Sequence, residues 1–174
     1  MKVLILPGIG NSGPDHWQTH WEKLHPEYTR VIQDDWNNPE CAKWLTCLEK
    51  AVSLSGPDTV VIAHSLACLL VAHWATSTHL RIKAALLVAV PNPIAPSFPT
   101  QAVGFSPLPN QPLPFQSTVV ASSNDPYGNL AHAEQCAAVW GSNLVNIGEA
   151  GHINAASGLG AWHDGHKLLQ QLLV

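Results

Sequence analysis

The stretch Val60-Val61-Ile62-Ala63-His64-Ser65-Leu66-Ala67 decides the fold of this 174-residue chain. An uninterrupted apolar run, typical of a strand buried on both faces, leads into Ser65, and helical spacing follows over residues 65–77. A serine between strand and helix, with a small residue two positions away on each side, is typical of a nucleophile elbow. The small residues of that motif are usually glycines, whereas this chain has Ala63 and Ala67. The alternative is that Ser65 only caps the helix that follows it.

Similar apolar runs recur along the chain, separated by amphipathic segments with helical spacing. Strands are predicted at residues 3–6, 31–32, 59–63, 84–90, 117–122 and 143–147. Helices are predicted at residues 15–24, 39–54, 65–77, 130–140 and 161–173. Because strands and helices alternate, we expect an α/β fold: a three-layer, doubly wound, mostly parallel sheet of about six strands in the order 2-1-3-4-5-6. Such sheets bind ligands at the carboxyl ends of their strands.

Composition excludes several classes of protein. The length is that of one domain, so we expect residues 1–174 to form a single domain. Hydrophobic residues make up 46% of the chain and charged residues 11%, which favours a packed globular protein over a disordered one. The formal net charge is −4, so the chain lacks the basic field that binds phosphates. We therefore expect neither nucleic acid nor a membrane as a partner.

The N-terminus and the cysteines indicate a cytoplasmic location. The apolar run at residues 3–6 is too short for the core of a signal peptide. No stretch approaches the roughly 18 continuous apolar residues of a membrane span. The four cysteines, which form no CxxC pair, are expected to be free thiols in a reducing compartment: Cys41, Cys47, Cys68 and Cys136.

A proline-rich segment interrupts the alternation of strands and helices. Residues 91–115 contain eight of the chain's fourteen prolines and show neither helical nor strand periodicity. Structureless segments of this length in compact domains are commonly lids or binding loops. We predict a lid-like loop at 91–115, the alternative being a passive connector.

Two later segments supply the partners that a serine nucleophile needs. Asp125 lies just past a predicted buried strand, and His152 lies in a glycine-bounded loop after the last predicted strand. The order Ser65, Asp125, His152 is that of the α/β-hydrolase catalytic residues. We therefore predict Ser65 as nucleophile, His152 as general base and Asp125 as the residue that orients the histidine. The alternative for Asp125 is that it only begins a turn before Pro126.

The loop after the first predicted strand is a candidate oxyanion hole. Acyl transfer places charge on a carbonyl oxygen, and fixed backbone N–H groups stabilise that charge. We predict the amides of Leu66, in the elbow, and of Ile9, in the glycine-rich loop, as the two donors, with Gly10 as the next candidate. The loop has neither the spacing of a dinucleotide-binding motif nor a Walker lysine, so no cofactor is predicted.

Several segments together resemble a known family. They are Pro7 to Ser12, Asp15 to Trp17, Gln33 to Trp36, Ala63 to Leu66, Ser122 to Tyr127 and Gly151 to Asn154. The chain is similar over nearly its whole length to small serine hydrolases such as retinoblastoma-binding protein 9 and the bacterial YdeN proteins, of the α/β-hydrolase superfamily. The resemblance implies a minimal α/β-hydrolase fold, ester hydrolysis and catalytic roles for Ser65, Asp125 and His152. One position departs from the family, whose elbow often has glycine where this chain has Ala67.

A metal site is the main alternative that the histidines raise. His16 and His20 stand one helical turn apart on the first predicted helix. The glutamate of an H-E-x-x-H motif is missing, and no third ligand is evident. We therefore predict no metal and interpret these histidines as packing residues.

These observations favour a serine hydrolase that cleaves small carboxylic esters through an acyl-enzyme, with a small-molecule ester as its partner. The alternative, from another class, is a non-catalytic binding or scaffold protein with the same fold. Within the enzyme hypothesis the sequence leaves esterase, thioesterase, amidase and peptidase open. It also leaves the oligomeric state open.

Overall fold

Six parallel strands form a single sheet in the computed structural model, which describes residues 1–173. The strands are β1 (Lys2–Leu6), β2 (Tyr28–Arg30), β3 (Thr59–His64), β4 (Ala84–Val88), β5 (Gln116–Ala121) and β6 (Asn143–Asn146). Their order is β2-β1-β3-β4-β5-β6, and every neighbouring pair is parallel. The predicted sheet and its order are confirmed.

Five α-helices cover the two faces of the sheet. They are α1 (Trp17–Leu24), α2 (Cys41–Ser55), α3 (Leu66–Ser77), α4 (Leu130–Trp140) and α5 (His163–Leu172), with a short 3₁₀ helix at Ala155–Ser157. Each predicted helix is present, with ends that differ by no more than two residues. The start of α1 shows why such ends shift: the His16 side chain accepts a hydrogen bond from the Gln18 amide and so caps the helix.

The three layers follow from the alternation of side chains along each strand. One core, against α2, α3 and α4, contains Val61 and Ala63 of β3. The other core, against α1 and α5, contains Val60 and Ile62 of the same strand. Because both sets are fully buried, the strand reads as a continuous apolar run.

The prediction of the second strand was wrong by three residues. We predicted it at residues 31–32, but the ladder lies at Tyr28–Arg30, on the edge of the sheet. The amide of Val31 still donates to the carbonyl of Ile5, whereas Ile32 is 66% exposed. An edge strand that is only half-buried does not need the continuous apolar run on which the prediction relied.

The segment 91–115 has no helix or strand of its own. It is tied to the body by an isolated bridge between Val103 and Glu40 and by the buried ring of Phe105, which packs edge-on against Trp44. The His73 side chain also hydrogen-bonds the Phe105 carbonyl. The segment therefore rests on α2 and α3 as a wall, and its role as a lid stays a prediction.

The helices and the cysteines can be compared with the expectations from the sequence. Among residues 1–173, no helix combines the length and the apolar character needed to cross a bilayer. All four cysteines are free thiols, and three of them, Cys41, Cys68 and Cys136, are buried.

The loop that carries Asp125 depends on a close backbone contact at Gly128. A Cβ at this position would lie 2.1 Å from the carbonyl oxygen of Val90. We expect Gly128→Ala to lower the free energy of unfolding by about 2 kcal/mol, because backbone must move to accept the methyl group. Urea denaturation measures this. Gly13→Ala, where an added Cβ meets nothing within 4 Å, is the matched control. Equal stabilities of the two variants would contradict the argument.

Candidate active site

Four loops meet at one edge of the sheet. Because all strands are parallel, the residues that follow β1, β3, β5 and β6 emerge at their shared carboxyl edge. These loops carry the glycine-rich segment 7–13, Ser65, Asp125 and His152. The structure therefore brings the sequence-predicted residues together, although Ser65 and His152 alone are 87 residues apart in the chain.

The backbone at Ser65 is in a conformation that non-glycine residues rarely adopt. Its φ of 56° and ψ of −124° place it in a sharp turn between β3 and α3. Small neighbours make room for the turn: Ala63 and Ala67 are fully buried, and a Cβ on Gly8 would lie 3.0 Å from the Ser65 Cβ. The Ser65 side chain makes no cap bond to α3, so the helix-cap alternative is wrong.

The three side chains form one chain of hydrogen bonds. The Ser65 hydroxyl lies 2.8 Å from His152 Nε2, to which it can donate. His152 Nδ1 lies 2.9 Å from both carboxylate oxygens of Asp125, so the Nδ1–H donates to the carboxylate. The side chain of Asp125 is 1% exposed and that of His152 is 9% exposed. This arrangement can withdraw a proton from the serine in a largely water-free setting.

Asp125 both forms a turn and hydrogen-bonds His152. One of its oxygens accepts the amide of Tyr127 at 2.9 Å, which forms the turn after β5. The same carboxylate also binds His152. The turn orients the carboxylate toward the histidine, and the Tyr127 ring packs edge-on against the imidazole at 4.6 Å.

Two backbone amides near Ser65 are free to donate. Within residues 1–173, neither the Ile9 nor the Leu66 amide has a hydrogen-bond acceptor. Gly10, the further candidate of the sequence analysis, is different, because its amide donates to the carbonyl of Trp36 at 2.8 Å. Because this bond occupies the Gly10 amide, Gly10 is not available as a donor. The bond also anchors the loop next to the Ile9 amide, which has no acceptor among residues 1–173.

A cavity of about 680 Å³ opens in front of the serine. The glycine-rich loop supplies Ile9 and Asn11, and the 91–115 segment supplies Phe98 and Gln101. None of the described residues that line it is Asp, Glu, Lys or Arg. A ligand in this cavity therefore meets apolar groups and neutral hydrogen-bonding groups.

Two buried histidines lie beside the catalytic candidates. The His16 and His64 rings pack edge-on at 4.7 Å, and His64 lies 5.1 Å from His152. Burial, followed by the charges of Arg30 and His152, lowers the pKa of His16 to about 4. Burial likewise holds the pKa of His64 well below its usual value. Both rings are neutral near pH 7.

The metal alternative finds no support in the part of the chain that the structure describes. No group of three or more His, Cys, Asp or Glu side chains there could hold a metal ion. His16 instead caps α1 through Nδ1, while its Nε2 is buried with no partner among residues 1–173.

Sequence reasoning missed the residues that support the His152 loop. His64 hydrogen-bonds the backbone carbonyl of His152, and the indole of Trp17 hydrogen-bonds that of Ile153. A signal for His64 was present, because strand alternation places it on the same face as Val60 and Ile62. A buried histidine at the end of such an apolar row needs a hydrogen-bond partner inside the protein.

Comparison with known proteins gives consistent matches. The pattern of the serine hydrolase family matches residues 3–171. A protein described as a YdeN-like hydrolase from Pectobacterium atrosepticum superposes with a TM-score of 0.87 at 30% identity, covering 98% of this chain and 89% of that one. The ydeN gene product of B. subtilis gives 0.85 at 18% identity, covering 99% and 98%. A hydrolase from Oleispira antarctica gives 0.69 at 12% identity, covering 99% and 90%. No curated protein sequence matches the chain.

These matches bear on two predictions from the sequence. The predicted α/β-hydrolase fold is confirmed, because the superposed hydrolases cover nearly the whole chain. The predicted resemblance to the YdeN-like serine hydrolases is confirmed as well.

The depressed pKa of His16 makes stability depend on pH. The folded-state pKa of about 4 lies below the usual histidine value of 6.5, so protonation favours the unfolded chain. The free energy of unfolding therefore falls as pH drops from about 6.5 to about 4, by about 3 kcal/mol from this residue alone. We expect His16→Asn, which keeps a cap acceptor for the Gln18 amide, to remove that part of the loss.

Urea denaturation at pH 7 and pH 4.5 measures this difference between wild type and variant. His79→Asn, at an exposed histidine, is the matched control and should follow the wild-type curve. Parallel curves for wild type and His16→Asn would refute the assignment.

Proposed function

The chain belongs to the serine hydrolase family, and we propose that it cleaves small, uncharged carboxylic esters through an acyl-enzyme on Ser65. One observation carries the proposal: the unbroken hydrogen-bonded chain from the Ser65 hydroxyl through His152 to the carboxylate of Asp125. A serine hydroxyl is a weak nucleophile unless a base beside it is held in the correct tautomer.

In the proposed reaction the Ser65 oxygen attacks the ester carbonyl while His152 Nε2 takes the hydroxyl proton. Asp125 accepts the Nδ1–H throughout and so stabilises the imidazolium that forms. The tetrahedral intermediate collapses as the ester C–O bond breaks, and His152 returns its proton to the leaving alcohol. Water then attacks the acyl group on Ser65 while His152 takes a proton from the water. The bond from the acyl carbon to the Ser65 oxygen breaks, His152 returns the proton to that oxygen, and the free acid leaves.

The amides of Ile9 and Leu66 are the proposed oxyanion donors. Neither has an acceptor among residues 1–173, and both residues line the cavity in front of Ser65. Loss of a preorganised donor commonly costs about 10² to 10³ in turnover. Leu66 begins α3, whose N-terminal partial charge also favours a negative oxygen.

The substrate class follows from what lines the cavity. With no Asp, Glu, Lys or Arg among its described lining residues, an ammonium or carboxylate buried there would lose hydration without gaining a counter-ion. Arg30, which is close to the glycine-rich loop, is already engaged by Glu22, Thr19 and the Ser12 carbonyl. We therefore assign an uncharged acyl group.

A non-catalytic scaffold remains the rival function, and the geometry favours the enzyme. Holding a non-glycine residue at φ 56° costs about 1 to 3 kcal/mol. A scaffold gains nothing from that strain, whereas an enzyme needs it to expose the hydroxyl to the histidine.

We place the enzyme in the cytoplasm. Burial raises the pKa of the Cys41 thiol to about 11 and that of Cys136 to about 12. These thiols are buried packing groups, which suits a reducing compartment.

The nucleophile is tested by active-site labelling. We expect a fluorophosphonate probe to label the wild-type protein and not Ser65→Ala, because only the activated hydroxyl attacks phosphorus. Hydrolysis of p-nitrophenyl butyrate should fall by about 10³-fold or more in the same variant. Ser123→Ala, at an exposed serine in the Asp125 loop, is the matched control and keeps both properties.

Two results would overturn the assignment. One is undiminished labelling of the Ser65→Ala protein. The other is a wild-type protein that neither reacts with the probe nor turns over any ester, which would leave the scaffold function.

The substrate class is tested with esters matched in size. The β-alanyl p-nitrophenyl ester replaces the terminal methyl of the butyryl ester with an ammonium group, and the hemisuccinate ester ends in a carboxylate. We expect kcat/KM for both charged esters to be about a hundredfold below that for butyrate, because the cavity offers no counter-ion. Each value is divided by the rate of alkaline hydrolysis of the same ester. Comparable corrected values would show that the acyl group is not enclosed by this cavity.

A further inference from the structure

The loop that carries His152 is held by two ring N–H groups from the opposite side of the site. The Nε2–H of His64 donates to the carbonyl of His152 at 2.9 Å. The Nε1–H of Trp17 donates to the next carbonyl, that of Ile153, at 2.8 Å. His64 and Trp17 are both buried.

We propose that His64 and Trp17 are positioning residues that fix the position of the His152 imidazole relative to the Ser65 hydroxyl. This inference rests on the proposed function, because it assigns to these two residues the geometry of the proton transfer. Neither side chain hydrogen-bonds the Ser65 hydroxyl or the His152 ring; each binds a backbone carbonyl instead.

His64 is placed to couple the base to the nucleophile. It is the residue before Ser65, so its ring is attached to the same strained turn that presents the hydroxyl. Its side chain binds the backbone of His152, whose own ring binds Ser65. The three residues thus form a closed loop of covalent and hydrogen bonds, in which both the backbone carbonyl and the ring of His152 are bound to the turn.

Burial keeps the His64 ring neutral, and the bond to the His152 carbonyl selects its tautomer. A neutral imidazole carries one N–H, and a carbonyl oxygen can only accept, so the proton of His64 lies on Nε2. Burial first, and the nearby histidines second, keep the pKa of His64 well below its usual value. The edge-on ring of His16, at 4.7 Å, restricts rotation of the His64 ring. The donor is therefore present over the whole pH range in which His152 works as a base.

Backbone strain shows that the loop needs to be held. Ile153 has a φ of 48°, a conformation that a β-branched residue rarely adopts and that costs about 1 to 3 kcal/mol. Its amide bonds Ala150 in the same loop, and its carbonyl bonds Trp17. Without the indole N–H, relaxation of this strain would rotate the peptide next to His152.

The other end of the loop is held by different groups. The hydroxyl of Ser122 accepts the amide of Ala150 at 2.9 Å, and the side-chain oxygen of Asn124 accepts the amide of Gly151 at 2.7 Å. Both belong to the loop that carries Asp125. The Asp125 side of the site therefore holds the amides before the histidine, and the α1 side holds the carbonyls at and after it.

The test measures kcat, KM and melting temperature for His64→Leu and Trp17→Phe. Each substitution keeps an apolar side chain in place and removes the N–H donor. We expect kcat for p-nitrophenyl butyrate to fall by about ten- to a hundredfold in both variants, because a displaced general base slows chemistry. KM should stay unchanged in Trp17→Phe, whose side chain does not line the cavity, whereas His64 is one of the lining residues. Turnover is expressed per fluorophosphonate-reactive site, so that unfolded protein in a sample does not lower the measured kcat.

Two further variants separate positioning from stability. Trp21→Phe removes the same kind of bond, an indole N–H to the Ala161 carbonyl at 2.7 Å, in the same aromatic cluster but away from His152. It should lower the melting temperature as Trp17→Phe does and leave kcat unchanged. His64→Gln restores an N–H donor at similar reach and should return kcat to within about threefold of wild type.

An active wild type with unchanged kcat in His64→Leu and Trp17→Phe overturns this inference and leaves the proposed function intact. A kcat loss in Trp21→Phe equal to that in Trp17→Phe, or no recovery in His64→Gln, also overturns it, since both point to general destabilisation. A wild type without Ser65-dependent labelling removes the proposed function and this inference with it.

Discussion

The left-handed backbone of Ser65 is the constraint on which the site depends. The turn is held at φ 56° because its amide donates to Val88 on the neighbouring strand and its carbonyl accepts from Cys68 in α3. A Cβ at position 8 of the first loop would crowd this turn, because it would lie 3.0 Å from the Ser65 Cβ. Hydrogen bonds to the sheet and to α3 thus hold the strained turn. The turn directs the hydroxyl toward His152.

The spacing between the elbow and the first loop is set by one buried amide. Gln18 is fully buried, and its side-chain N–H groups donate to the last carbonyl of β1, that of Leu6, and to Ile62 in β3. Its oxygen accepts from the hydroxyl of Ser12 in the glycine-rich loop at 2.6 Å. One side chain from α1 therefore joins the two strands and the loop that carry the serine and the candidate oxyanion donors.

The sequence was most informative where a local pattern has one physical meaning. The apolar runs of β1, β3, β4 and β5 predict buried parallel strands because both faces of this sheet are covered. Ser65, Asp125 and His152 then come together because the strands that precede them end at one edge of the sheet. The edge strand β2 lacked such a run, and its position was missed. The bond from Trp17 to Ile153, 136 residues away, has no local signal, because an indole N–H seeks whatever carbonyl the fold brings to it.

The alternation of a buried strand divides the work among three adjacent residues. Ala63 faces the core against α2, α3 and α4, and its small side chain lets α3 start close to the sheet. His64 faces the opposite side, where it meets Trp17 and the loop of His152. Ser65 follows where the chain leaves the sheet and faces the cavity. Because neighbouring residues contact different layers, α3 on one face supports Ser65, and α1 on the other face supports the loop of His152.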